Sequence, residues 1–249
     1  NDVGSQIDNF TESVFFRIKE IKLKEKFPKQ GNLYPGSYII EIAKKILKKK
    51  PNIKLNSFKN LSAFIQKESL KISMNMIKTD LKKLGIKHDK FFSEKELIKK
   101  DLVNKSVKLL QNKNFVEKGF LEPPKGEEQI NWKKTKRLIF KSTLFGDDTD
   151  RPLQKADGSW TYFAGDMAYH SDKISRKFDV LINILGADHA GYIKRITSAT
   201  KAISSNKVNL ICKVSQLVKL FKNGQPFKMS KRKGDYITVN DLISEVGRD

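Results

Sequence analysis

Two short apolar runs, residues 179–185 and 208–214, bracket a stretch with helical spacing, and this pattern constrains the fold more than any other feature of the chain. The run from Asp179 to Leu185 is broken only by Asn183, which suits a strand covered on both faces in a parallel sheet. A helix is expected from Asp188 to about Ser204, followed by a second strand from Val208 to Val214. A strand, a crossover helix and a parallel strand form the basic unit of α/β proteins, so the class is α/β.

The chain before this unit has a different grammar. Ile7, Phe10, Val14, Ile18 and Ile21 recur every three or four residues, one face of an amphipathic helix. Tyr38, Ile39, Ile42, Ala43, Ile46 and Leu47 repeat the signal until Pro51 stops it. Two more helices are expected, one ending near Gly85 and one opening at Ser93, where Glu96 stands at capping-box spacing ahead of Leu97, Ile98, Leu102 and Val103. Between Asn114 and Trp132 the pattern fails, and Gly119, Pro123, Pro124 and Gly126 mark a loop or linker. Arg137 to Phe140 then reads as a strand. Arg151 to Ala164 reads as a hairpin turning at Asp157-Gly158, with Trp160, Tyr162 and Phe163 after the turn. Thr238 and Asp241 offer a helix cap before Leu242, Ile243 and Val246.

The formal net charge of +22 would draw the protein to a polyanion, RNA above all. Only seven of the 50 basic residues are arginine, however, and Lys accompanied by abundant Ile and Asn is also what an AT-rich genome produces. Lys201 to Gly234 is more specific, with nine basic residues and no acidic one, and is the best candidate for a phosphate-facing surface. No stretch approaches the ~20 consecutive apolar residues of a membrane span, and residues 1–10 do not read as a signal peptide, so a cytoplasmic protein without membrane partners is expected. The lone Cys212 excludes an internal disulfide and reads as a small buried hydrophobe.

Three segments could carry chemistry. Lys228-Met229-Ser230-Lys231-Arg232 follows an Asn223-Gly224 turn. Flexible ammonium groups on such a loop can meet charge developing on a leaving phosphate, although a solvated basic turn would look the same. Gly186-Ala187-Asp188-His189-Ala190-Gly191-Tyr192 lies where the first apolar strand meets its helix. Ligands bind at the carboxyl ends of strands in open α/β sheets, while Asp188 as a helix cap and His189 as a surface residue would be the ordinary alternative. In Tyr162-Phe163-Ala164-Gly165-Asp166-Met167-Ala168-Tyr169-His170, Asp166 is a carboxylate able to accept a forked hydrogen bond. Tyr162, four residues earlier, could close the same pocket. Asp166 as a cap with Tyr162 and Tyr169 as core aromatics is the alternative, and His170 either supports the pocket or does nothing.

Taken together and in this order, the segments resemble arginyl-tRNA synthetases of class I. Lys228 to Arg232 is similar to the Lys-Met-Ser-Lys-Ser signature loop and differs at Arg232, Gly186 to Tyr192 resembles the segment that faces ATP, and Tyr162 to His170 resembles the element of the amino-acid pocket. Asn1-Asp2-Val3-Gly4-Ser5-Gln6-Ile7-Asp8 resembles the element that follows the family's His-x-Gly-His motif, and Phe145 to Arg151 and Asp241 to Asp249 also fit. No His-x-Gly-His is present, the three histidines being His88, His170 and His189.

The resemblance implies a Rossmann-like core with a mainly helical insertion. Residues 1–50 and 131–249 would belong to the core and residues 51–130 to the insertion. It implies ligation of arginine to tRNA(Arg) with ATP, and Mg2+ as the ATP counter-ion. Tyr162, Asp166, Tyr169, Asn1 and Gln6 would bind arginine, Gly186, Asp188, His189, Met229 and Ser230 would bind ATP, and the catalytic Lys228 and Lys231 would meet the pyrophosphate. A monomer is expected for the whole enzyme. The chain reads as an internal piece of the catalytic domain, expected to be inactive alone and of marginal stability with exposed apolar edges. A non-catalytic RNA-binding remnant is the alternative.

Overall fold

The computed structural model describes residues 2–120, 135–222, 224–227 and 237–247. In chain order these form α1 (Ser5–Leu23), α2 (Ser37–Lys49), α3 (Phe58–Lys83), α4 (Glu94–Lys99) and α5 (Leu102–Asn112). Strands β1 (Val116–Gly119), β2 (Arg137–Phe140) and β3 (Arg151–Pro152) follow, then α6 (Tyr162–Ser175), β4 (Val180–Gly186), α7 (Ile193–Ser204) and β5 (Asn209–Ser215). Strands β6 (Leu220–Lys222) and β7 (Gln225–Phe227) and helix α8 (Val239–Val246) complete the described elements. The chain divides into two compact units, residues 1–94 with 219–249, and residues 95–218.

The first unit is helical. Val14 and Ile18 of α1, Ile39, Ile42 and Ile46 of α2 and Ile65 of α3 form its core, and all are fully buried, as the helical spacing of the first two segments required. Lys49 secures the buried Glu68 of α3 at 2.6 Å. The Ser93 hydroxyl donates to Asp2. β6 and β7 pair antiparallel, with Lys222 opposite Gln225 and Gly224 between them at φ +73°, a conformation that favours glycine. The cap expected at Thr238 is present: its hydroxyl accepts from the Asp241 amide at 3.0 Å, and Asp241 accepts from the Thr238 amide at 2.8 Å.

The second unit is α/β. β4 and β5 run parallel, Val180 opposite Asn209 through Gly186 opposite Ser215, with α7 as the connecting helix. α5, α6 and α7 supply Val107, Leu110, Met167, Ala199 and Ala202 to one core with Leu181 and Leu210 of the sheet, and Cys212, expected to be buried, packs at its edge only half-buried. β1, β2 and β3 make a separate antiparallel sheet.

Four expectations need correction. The helix opening near Ser93 is two helices, because Asp101 takes a left-handed φ of +53° between α4 and α5. Val116–Gly119, read as linker, is a strand paired with β2, a long-range pairing that a four-residue segment cannot announce. The Asp157-Gly158 turn exists, with Gly158 at φ +81° and Gln154 bridged to Trp160, but Tyr162 and Phe163 begin a helix, because the Thr161 hydroxyl caps it through the Ala164 amide. Finally, β4 is covered on one face only: Ile182 is 60% and Ile184 77% exposed.

Candidate functional site

The carboxyl end of β4 turns at Gly186 into a 3-10 segment, Ala187–Tyr192, which leads directly into α7. α6 lies beside this strand end, and between them is a cavity of about 410 Å³. Helical spacing puts Asp166, Tyr169, His170 and Lys173 of α6 on one side. Asn183 and Leu185 of β4 and His189 and Tyr192 of the 3-10 segment line the other.

Two hydrogen-bonded systems organise the cavity. The Tyr192 hydroxyl donates to Asp166 Oδ2 at 2.6 Å. Burial, reinforced by Asp166, pushes the Tyr192 phenol well above its ordinary value, so it is a permanent donor. In the second system His170 Nδ1 lies 2.8 Å from the Asp166 backbone carbonyl, and its Nε2 lies 2.9 Å from Asn183 Nδ2. A carbonyl only accepts and an amide nitrogen only donates, so these partners require a neutral imidazole with its proton on Nδ1. The Lys173 ammonium then donates to Asn183 Oδ1 at 2.8 Å, which fixes the amide orientation as well. Burial drives the His170 pKa down to about 4, in agreement with the neutral form that the partners demand. Burial also lowers the Lys173 pKa, and the ammonium sits 4.6 Å from the centre of the Tyr169 ring.

The structure therefore brings Asp166, Tyr169 and His189 to one cavity. Gly186 and Asp188 adjoin it without lining it; a Cβ on Gly186 would stand 2.5 Å from Asp188 Oδ1, so the glycine leaves room for that carboxylate. Asp188 and His189 are 3.6 Å apart and both side chains are largely open to solvent. Tyr162 is 90% exposed and outside the cavity, at the first position of α6. Gln6 is exposed at the start of α1 in the helical unit. Asn1, Lys228, Met229, Ser230 and Lys231 lie outside the described residues. Sequence reasoning missed the roles of Tyr192, Asn183 and Lys173. Asn183 had a signal, being the one polar residue in the apolar run of β4.

A second cavity, about 730 Å³, lies within the helical unit among α2, α3 and the start of α8, and none of the sequence-predicted site residues lines it.

Over its whole length the chain is 57% identical to the arginine–tRNA ligase of Pelagibacter ubique and 49% identical to that of Ehrlichia chaffeensis, in each case covering 43% of the relative. Along its whole length the chain is thus a homologue of part of the arginine–tRNA ligases. A solved structure from Campylobacter jejuni, designated an arginyl-tRNA synthetase, superposes with a TM-score of 0.76 at 32% identity, over all of this chain and 50% of that one. This likeness agrees with the expected Rossmann-like α/β core. No family model matches the chain. The chain thus spans under half the length of the ligases it matches. Among its described residues, no helix is long and apolar enough to cross a membrane.

Proposed function

We propose that the protein carrying this sequence activates arginine with ATP and transfers the arginyl group to tRNA(Arg), and that the cavity between α6 and β4 receives the guanidinium. The observation that carries this reading is Asp166, a carboxylate on the cavity wall with Oδ2 engaged by Tyr192. A carboxylate fixed in this way suits a forked donor. Tyr169 would bound the same pocket. Tyr162, exposed at the first position of α6, would have to turn inward on binding.

In the proposed reaction an arginine carboxylate oxygen attacks the α-phosphate of ATP, the bond to the bridging oxygen breaks, and pyrophosphate leaves. Gly186 at the end of β4 and the start of the 3-10 segment through His189 would receive adenosine. Lys228 and Lys231, with Met229 and Ser230 between them, would approach the phosphates. The tRNA 3′ hydroxyl then takes the arginyl group, and AMP departs. Mg2+ would arrive as the counter-ion of the ATP phosphates. Residues 51–130 would form an insertion into the synthetase core, and Asn1 and Gln6 would count among the arginine-binding residues.

The test is arginine-dependent exchange of pyrophosphate into ATP by the full-length protein in the presence of tRNA. Asp166→Asn should lower kcat/KM for arginine by about a hundredfold, the loss of two charged hydrogen bonds. Retained exchange would overturn the pocket. Salt-sensitive tRNA binding without saturable arginine or ATP binding would instead favour a non-catalytic RNA-binding protein.

A further inference from the structure

We propose that Tyr192 is a positioning residue for cation recognition, holding the plane of the Asp166 carboxylate so that it meets a forked donor. The inference rests on the reading of Asp166 as the guanidinium acceptor. A carboxylate on a helix rotates about its last bond, and a forked pair of N–H donors needs that rotation stopped. Tyr192 stops it with one short bond, 2.6 Å from hydroxyl to Oδ2, which among the described contacts leaves Oδ1 and the second lone pair of Oδ2 to accept the two arms of the fork.

The tyrosine is itself held from three sides. Its ring meets buried Phe163 edge to face at 6.3 Å and 82°. The guanidinium of Arg195 lies 5.0 Å over the ring from one turn further along α7. Its hydroxyl reaches Asp166, which stands three residues beyond Phe163 on the same face of α6. Ring and hydroxyl thus grip one helix at two points, and the direction in which the phenol points is set by the core. Because the phenol stays protonated, it donates and never competes with the ligand as an anion. Tyr192 spans from the last residue of the 3-10 segment to α6, so it also ties the proposed adenosine-facing segment to the amino-acid pocket.

The experiment uses the full-length protein and Tyr192→Phe, which keeps the ring and removes the hydroxyl, beside Asp166→Asn. KM for arginine should rise about tenfold or more in Tyr192→Phe, the size of one charge-assisted hydrogen bond, with kcat and KM for ATP nearly unchanged. An arginine KM within about twofold of wild type while Asp166→Asn is crippled would overturn the positioning role and leave the pocket standing. Equal rises in KM for arginine and ATP would also overturn it, since they mark a residue needed only for structure. Should Asp166→Asn itself keep the wild-type arginine KM, the guanidinium reading falls, and this proposal with it.

Discussion

In the helical unit Val14, Ile18, Ile39, Ile42 and Ile46 are closed off on all sides, whereas in the α/β unit β4 buries Leu181 on one face and leaves Ile182 and Ile184 open on the other. A helix satisfies its backbone internally and needs one apolar stripe covered, which neighbouring helices nearby in sequence can do. An inner strand of a parallel sheet has partners along both edges and packing on both faces. β4 has β5 on one edge and none on the other among the described residues. Local segments can thus finish a helical core, while a parallel sheet depends on more strands.

The largest test of this contrast is truncation in the closed core. Ile42→Ala should cost about 4 kcal/mol, because a fully buried side chain ringed by helices leaves a cavity that cannot collapse. Denaturant unfolding followed by hydrogen exchange would assign the loss to α1, α2 and α3. A value below about 1 kcal/mol would mean that this core is loose.

The next effect belongs to the α/β unit. Arg151 binds both carboxylate oxygens of Asp147 at 2.7 Å, and the Asp147 side chain is fully enclosed. Burial alone would push this carboxyl up, but the guanidinium and the Asp148 amide outweigh it and hold the pKa below 3.8. Stability from this pair is therefore complete above that value and lost as pH falls below it. Asp147→Asn should cost about 3 kcal/mol at neutral pH in thermal unfolding, through an Arg151 left without its counter-charge.

His170 gives a smaller effect in a different pH window. Its folded pKa of about 4 lies below the ordinary 6.5, so between those values the unfolded chain takes up a proton that the folded state refuses. The α/β unit should lose about 2 kcal/mol between pH 7.5 and pH 5, and the loss should level off below pH 4. His170→Gln should flatten that slope. A slope of equal size in the helical unit, whose described histidine His88 is exposed, would break the comparison.

The two units were unequally legible in the sequence. α1 and α2 were plain because three-residue and four-residue spacing writes a buried stripe directly into the chain. β4, β5 and their connecting helix were also legible, since apolar runs flanking a helical stretch admit few topologies. The start of helix α6 was not, because Tyr162 and Phe163 read as the far arm of a hairpin, and only the Thr161 cap and tertiary packing make them helical. Of the residues that line the α6–β4 cavity, Asp166, Tyr169 and His189 were expected from motif and chemistry. The Tyr192 and Asn183 partnerships, to a carboxylate and to an imidazole, span 26 and 13 residues, and a hydrogen bond at that separation leaves no local trace.

The smallest effect probes the open face of β4. Ile184→Thr should change stability by less than about 0.5 kcal/mol, because a side chain 77% exposed has little burial to lose, and threonine suits a strand. Leu181→Ala, three residues earlier on the covered face, should cost about 3 kcal/mol. The same chain in sedimentation should self-associate through this face, and Ile182→Lys with Ile184→Thr should reduce that association, since exposed strand edges with apolar side chains invite pairing. If Ile184→Thr destabilises as much as Leu181→Ala, the outer face is covered in solution, and the contrast between the two units narrows to their local order alone.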